Sequence, residues 1–210
     1  MTQQTALVTG GGGFLGRYIV HKLLERQVAV RIIGRTPQPD LEQRGVHQVC
    51  ASITDPGAVS SATKGCDVVF HVAAKAGVWG PWSEYFDANV TGTRNVIKAC
   101  QEHGVKRLVY TSTPSVVFTG QPFEGANESL PYGCNWLCPY PQTKAMAEAE
   151  VLTANRSDGL RTVALRPHLI WGIGDNHLIP TILAAVGKGK LKIVGDGGNR
   201  VDVTHVENAA

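Results

Sequence analysis

The sequence predicts a doubly wound α/β fold: a parallel sheet covered by helices on both faces, followed by the start of a smaller C-terminal region. Three observations predict it. Short apolar runs alternate with stretches of helical periodicity through most of the 210 residues, the pattern of strands buried on both faces. A glycine-rich turn joins the first such run to the first helix. The composition, 43% hydrophobic and 18% charged, suits a folded chain with a sizeable core and excludes a disordered one.

Ala6–Thr9 reads as a short buried strand, and Phe14, Leu15, Tyr18, Ile19, Leu23 and Leu24 recur at helical spacing after it. Val28–Ile33 and Val46–Cys50 read as the second and third strands. Asp55-Pro56 marks a helix start, with Asp as N-cap and Pro at the first helical position. Asp67–Phe70 is the fourth strand; Phe86, Val90, Thr93, Ile97 and Cys100 form one face of a long helix ending near Gly104. Arg107–Tyr110 is the fifth strand. Thr111–Pro139 is too long and irregular for an ordinary connection, which points to function. A helix from Tyr140 to about Ala154 and a sixth strand, Thr162–Leu165, complete the first unit, residues 1–166.

After Arg166 the pattern changes: a helix over Leu178–Val186 and short strands over Leu191–Val194 and Val201–Val203. Thr204 and Glu207 fit a capping box, with Thr as N-cap and Glu at N3, yet Ala210 follows closely. Residues 167–210 are therefore expected to be a partial second region, truncated inside a helix.

The net charge of +3 argues against a dedicated nucleic-acid binder. The five cysteines lack a CxxC, and Cys134 and Cys138 have no partner pair completing a zinc pattern, so neither metal nor disulfide is expected. Cys50 and Cys100 lie in apolar segments and are expected to pack as small hydrophobes. The polar Met1–Thr5 segment is no secretory leader, and no apolar run approaches the ~20 residues of a membrane span, so a cytoplasmic location is expected.

The glycines concentrate function. Gly10, Gly13 and Gly16 are spaced three apart between a strand and a helix. In that setting the first allows a tight turn, the second admits a pyrophosphate to the backbone, and the third lets helix and strand pack closely, the Rossmann-type arrangement. The phosphates then face a helix N-terminus. At the end of the second strand, where an NAD site carries an acid for the ribose 2′-hydroxyl, stand Gly34 and Arg35. The guanidinium suits a 2′-phosphate, so NADP(H) is expected in preference to NAD(H).

Tyr140 and Lys144 form YxxxK at a helix start and share a helix face. A neighbouring ammonium would lower the phenol pKa and make Tyr140 a proton donor or acceptor near neutrality. Thr113, at the end of the fifth strand, borders the crevice that parallel sheets use for ligands and could hold a substrate oxygen.

Together Thr9–Gly16, Asn89-Val90-x-Gly92-Thr93, Thr111-Ser112-Thr113, Tyr140-x-x-x-Lys144 and Leu165-Arg166-Pro167 resemble the extended short-chain dehydrogenase/reductases, more narrowly the 3β-hydroxysteroid dehydrogenase branch. The segments His71–Gly77, Tyr110–Val116 and Leu165–Gly172 carry the narrower likeness. The resemblance implies a catalytic acid/base at Tyr140, assisted by Lys144, with Thr113 where Ser is usual and Asn89 supporting a proton relay. It implies cofactor contacts from Gly10, Gly13, Phe14, Leu15, Gly16, Gly34, Arg35, Ser52, Ile53, Ala73, Ala74, Pro167 and Leu169, besides Tyr140 and Lys144. Ser52 stands where relatives usually have Asp. The implied reaction reduces a ketone to a secondary alcohol, with a 2-alkyl-3-oxo fatty acid favoured over a steroid or nucleotide sugar. Trp79, Pro81, Trp82, Trp136 and Leu137 could line an apolar pocket, and His168 could meet a carboxylate. The expected partner is a hydrophobic small molecule, with no nucleic acid and no membrane span; a homodimer is one expected assembly.

Overall fold

The computed structural model describes residues 3–193 and 195–210. Six parallel strands form one sheet: β1 (Thr5–Thr9), β2 (Ala29–Gly34), β3 (His47–Cys50), β4 (Val68–His71), β5 (Arg107–Thr111) and β6 (Arg161–Leu165), in the order β3-β2-β1-β4-β5-β6. Strand order reverses between β1 and β4. Their carboxyl ends therefore diverge into a crevice, where doubly wound sheets bind ligands.

The helices are α1 (Phe14–Glu25), α2 (Pro39–Glu42), α3 (Pro56–Thr63), α4 (Trp82–Tyr85), α5 (Gly92–Glu102) and α6 (Pro139–Thr153). Side-chain alternation gives each face of the sheet its own core. Ala6, Val8 and Ile32 pack against Leu15, Ile19, Val20 and Leu23 of α1. On the other face, Leu7, Ile33, Val69 and Leu108 pack against α3, α5 and α6. Asp55 caps α3 as expected, its carboxylate accepting from the Ala58 N–H at 3.0 Å.

The expected long helix is interrupted. A π-helical segment, Phe86–Thr91, joins α4 to α5 without a break in helical backbone and contains Asn89. Such wide turns tend to mark functional sites.

Beyond β6 the chain differs from the sequence reading. β7 (Ile170–Trp171) pairs in parallel with β8 (Thr204–His205), separated by α7 (Leu178–Gly187). The expected strand at Val201–Val203 is irregular, and pairing begins at Thr204, whose N–H donates to the His168 carbonyl at 3.1 Å. Leu191–Ile193 is irregular too, and Val194 lies outside the described residues. Thr204 is not the N-cap: His205 is, its Nδ1 accepting from the Glu207 N–H, and α8 (Val206–Ala209) follows. Val206 is fully buried in the α1 core, which docks this segment on the sheet. By contrast, α7 buries none of its side chains. Cys100 is buried as expected, but Cys50 is exposed because β3 is the sheet's edge. No helix among the described residues is long and apolar enough to cross a membrane.

Candidate active site

The glycine-rich turn is held from both sides. Gly10 adopts φ +68°, a conformation that favours glycine, and donates to the Ile33 carbonyl at 3.0 Å. Its carbonyl accepts from Gly13 at 2.9 Å and leaves no room for a Cβ on Gly16. Gly13 caps α1 with extended backbone, and no side chain occupies the free N–H groups of the first turn. A positive-φ glycine beside an uncapped helix N-terminus fits the pyrophosphate of a dinucleotide.

This turn forms one wall of a cleft of about 670 Å³, a size suited to a small-molecule or cofactor site. Gly10, Gly13, Gly34, Arg35, Ser52, Ile53, Ala73 and Ala74, all expected at the cofactor, line it. Around Gly34, nothing lies within 4 Å of where a side chain would begin, so the space beside Arg35 is open. Ser52 is engaged locally, bonding to Thr54 Oγ1 at 2.8 Å and accepting the Thr54 N–H. Phe14 and Leu15 do not line the cleft: Leu15 is in the core, and Phe14 stands edge-on to Tyr18. Their available contribution is backbone N–H.

Further cleft residues went unread in the sequence. Gln38 and Gln48 line it. The Gln38 N–H donates to Gln48 Oε1 at 2.7 Å, Gln48 Nε2 donates to the Thr36 carbonyl at 2.8 Å, and Arg17 binds both Gln38 and Asp40. These bonds strap the segment that carries Arg35. Lys75 and Glu84 form an ion pair at 2.7 Å on the opposite wall. No local sequence motif marks such contacts, because their partners are distant in the chain.

Tyr140 opens the first turn of α6, and Lys144 follows one turn later. The expected effect of Lys144 on Tyr140 is corrected by the structure. Burial pushes the Tyr140 phenol above its ordinary pKa, and a hydrogen bond with Thr113 pulls it partly back. The Lys144 amine is buried, donates to the Thr111 carbonyl at 2.6 Å and sits 4.1 Å from the Tyr110 ring centroid. Burial pushes its pKa down to about 7, against an upward pull from Glu148. Desolvation is the largest cause for both groups, and neither shift has the other residue among its causes. Thr113 also caps the 3-10 turn Pro114–Val117, accepting the Ser115 N–H at 3.3 Å.

Asn89 is buried, accepting from the Lys75 N–H at 2.7 Å and donating to the Lys75 carbonyl and to Thr143 Oγ1. It braces the cleft wall against α6. Glu148, one turn beyond Lys144, is fully buried, accepts three bonds from Arg166 at 2.5, 3.1 and 3.2 Å, and accepts from Tyr132 Oη at 3.0 Å. Glu148 continues the four-residue spacing from Tyr140 and Lys144, a signal the sequence did contain.

The candidate substrate residues divide. Trp136 is partly buried and packs against a small cluster of Val116, Val117 and Ala145. Trp79 is 87% exposed and Leu137 96% exposed. Trp82 is partly exposed beside Phe86. His168 and Pro167 are half-buried, and Leu169 has φ +40°, unusual for a side chain of its size. None of these lines the cofactor cleft.

The fold, the glycine turn and the cleft at the strand-order reversal define an extended short-chain dehydrogenase/reductase, a nucleotide-dependent oxidoreductase class. Residues 7–210 match the 3-beta hydroxysteroid dehydrogenase/isomerase family, and the chain belongs to it. It is 50% identical to the 2-alkyl-3-oxoalkanoate reductase of Stenotrophomonas maltophilia, over 97% of this chain and 62% of that protein. It is 48% identical to the enzyme of the same name from Shewanella oneidensis, over 98% of this chain and 54% of that protein. The chain thus spans little more than half the length of these relatives. Among solved structures it resembles a double mutant of the dTDP-glucose 4,6-dehydratase of Streptomyces venezuelae with NAD bound: TM-score 0.83, 26% identity, 97% of this chain and 69% of that one.

Proposed function

We propose that this chain carries the cofactor site and catalytic helix of an NADPH-dependent reductase that converts a ketone to a secondary alcohol, with a 2-alkyl-3-oxoalkanoate as substrate. The observation that carries the reading is the cleft lined by the glycine turn, Gly34 and Arg35, in a chain about half identical to two reductases of that name. The second region, residues 167–210, would begin the substrate side. A 3β-hydroxysteroid substrate is the second reading, favoured by the family match.

The cofactor, when bound, supplies hydride from its nicotinamide ring. Gly10, Gly13 and the first turn of α1 would bind its pyrophosphate, and Arg35 its 2′-phosphate. Tyr140 would hold the proton and give it to the substrate oxygen. Burial raises the phenol pKa, so Tyr140 keeps its proton at neutral pH and would release it only as charge develops on the substrate oxygen. Thr113, at the exit of β5, would position that oxygen. Asn89 would hold α6 in register with the cleft wall through Thr143.

The test is NADPH oxidation across 3-oxo acids, steroids and simple ketones, with this chain and with one extended to the relatives' length. Turnover of 3-oxo acids is expected; turnover of steroids alone would replace the substrate assignment. Tyr140→Phe is expected to bind NADPH as before and to lose 10²–10⁴-fold in turnover, roughly the contribution of a general acid. Arg35→Ala is expected to weaken NADPH binding about tenfold or more while leaving NADH binding unchanged, since a charge-assisted pair contributes about 1.5–3 kcal/mol. Equal loss for both cofactors would remove Arg35 from the 2′-phosphate site.

A further inference from the structure

A buried chain of neutral hydrogen bonds runs behind the cleft from the glycine turn to the Tyr140 helix. Thr9, His71 and Tyr110 are neighbours in one row across β1, β4 and β5, facing α5 and α6. Thr9 Oγ1 lies 2.7 Å from His71 Nδ1, and His71 Nε2 lies 2.9 Å from Thr93 Oγ1. Thr93 donates to the Asn89 carbonyl at 2.6 Å. Asn89 Nδ2 donates to Thr143 Oγ1 at 3.0 Å, and the single Thr143 hydroxyl proton is shared between the carbonyls of Pro139 and Tyr140, at 2.9 and 3.1 Å. Thr9, His71, Asn89, Thr93 and Thr143 are all buried to within 1% exposure.

Proton accounting fixes the direction of the bonds around His71. A hydroxyl has one proton and two lone pairs. Thr9 Oγ1 already accepts the N–H groups of Ala73 and Val72, both at 3.1 Å, the latter shared with the Thr9 carbonyl at 3.3 Å, so its proton goes to His71 Nδ1. Nδ1 is then unprotonated, and the ring carries its hydrogen on Nε2. Thr93 spends its own proton on the Asn89 carbonyl, so it accepts from Nε2. The other tautomer would press an Nδ1 hydrogen against an oxygen whose lone pairs are both used. A doubly protonated ring would do the same.

We propose that His71 is a positioning residue: as an Nε2–H imidazole it fixes the spacing between the cofactor-binding turn, through Thr9 and the Ala73 N–H, and the Tyr140–Lys144 helix, through Thr93, Asn89 and Thr143. What this spacing serves rests on the reductase reading; the linkage itself does not. Neutral bonds suit the task, because a partner that changed charge with solvent conditions would move the helix. Thr9 sits immediately before the glycine motif and His71 immediately before Val72-Ala73-Ala74, so one imidazole holds both strand ends that form the cleft floor.

Two readouts test this. Nitrogen-15 spectra of the histidine-labelled chain should show His71 with an unprotonated Nδ1 and a protonated Nε2, unchanged from neutral to mildly alkaline pH. The Nδ1–H tautomer there would overturn the proposal. Three variants then probe the linkage. His71→Asn retains an acceptor for Thr9 but does not reach Thr93, Thr93→Val removes the next partner, and His71→Gln places a donor where Nε2 stood. His71→Asn and Thr93→Val should speed amide exchange over Thr143–Ala147 by about tenfold or more, in excess of any change in the α3 amides. Turnover should fall between about 10- and 100-fold with little change in NADPH affinity, as expected for a misplaced reacting group. His71→Gln should restore both. A loss of stability with unchanged exchange at α6 and unchanged turnover per folded molecule would make His71 a packing residue and end the proposal. If the parent chain reduces no ketone, the reductase reading falls while exchange and tautomer still decide the linkage.

Discussion

On one flank of α6 the contacts are neutral and end in the hydroxyl of Thr143, with Asn89, Thr93, His71 and Thr9 behind it. On the opposite flank one carboxylate, Glu148, is held by the Arg166 guanidinium and the Tyr132 phenol. Both flanks bury polar groups in the same helix, and both satisfy them. They differ in what happens when one partner is removed. A neutral network loses hydrogen bonds of about 1 kcal/mol each and leaves dipoles unpaired. An ionic one leaves a charge without its counterion, which costs more. The charged flank ties the long Thr111–Pro139 segment and the exit of β6 to the helix, whereas the neutral one ties the glycine turn.

The largest expected effect comes from breaking the charged flank. Glu148→Ala is expected to destabilise the fold by about 3 kcal/mol, the low end for a buried pair, because the Arg166 side chain is 22% exposed and keeps some water. Urea denaturation would read it as a lower midpoint. The double variant Glu148→Leu with Arg166→Met should recover most of that loss, since no charge is then left alone. A double variant as unstable as the single one would mean that Tyr132 and the loop, not the ion pair, carry the effect.

Much of this was legible in the sequence, and the reason for the remainder is physical. Glycine spacing, strand alternation and the Asp55-Pro56 cap are local signals, and they placed the six strands, the turn and most of the cleft. Tyr140 and Lys144 were legible as a pair on one helix face. Their electrostatics were not, because the Lys144 ammonium is steered by Tyr110 and the Thr111 carbonyl, which come from another element. Thr9 and His71 looked like ordinary strand residues; only the register that sets them side by side shows their partnership. The capping box at Thr204 failed for a related reason. Parallel pairing of Thr204 with Ile170 claims it for a strand, and the cap moves one residue on to His205.

The two flanks should separate on a pH axis, the next largest effect. Burial, assisted by the nearby Lys144 charge, pushes the His71 pKa from its ordinary 6.5 down to about 3. The unfolded chain therefore takes up this proton first, and stability falls as pH drops from about 6.5 toward 3, by at most roughly 1.4 kcal/mol per pH unit. Burial pushes the Glu148 carboxyl up, but the bonds and charge of Arg166 and the Tyr132 bond hold it below its ordinary 4.5. Its contribution is complete above that value and is lost as pH falls through the depressed one. Between pH 6.5 and 4.5 the neutral flank should thus respond while the charged flank does not. Comparing denaturation midpoints of the parent and His71→Gln across that interval isolates the histidine. Parallel curves for the two proteins would show that His71 titrates normally.

The smallest expected effect sharpens the comparison by changing burial alone. Two residues beyond Glu148 on the same helix, Glu150 accepts three bonds from Arg94 of α5, at 2.6, 2.9 and 3.0 Å, in the same forked geometry that Arg166 uses. Here the side chains are 51% and 31% exposed, so water solvates whichever partner is left. The Arg94 guanidinium also lies 5.6 Å from the Phe86 ring centroid, a cation–π contact that adds to the pair. Arg94→Ala is therefore expected to cost under about 1 kcal/mol, as for exposed pairs, and the cost should shrink further at high salt. The matching loss at Glu148 should hardly respond to salt. If both pairs lost the same stability and showed the same salt dependence, burial would not be what distinguishes the flanks of α6, and the cost at Glu148 would have to come from the Thr111–Pro139 segment that Tyr132 anchors.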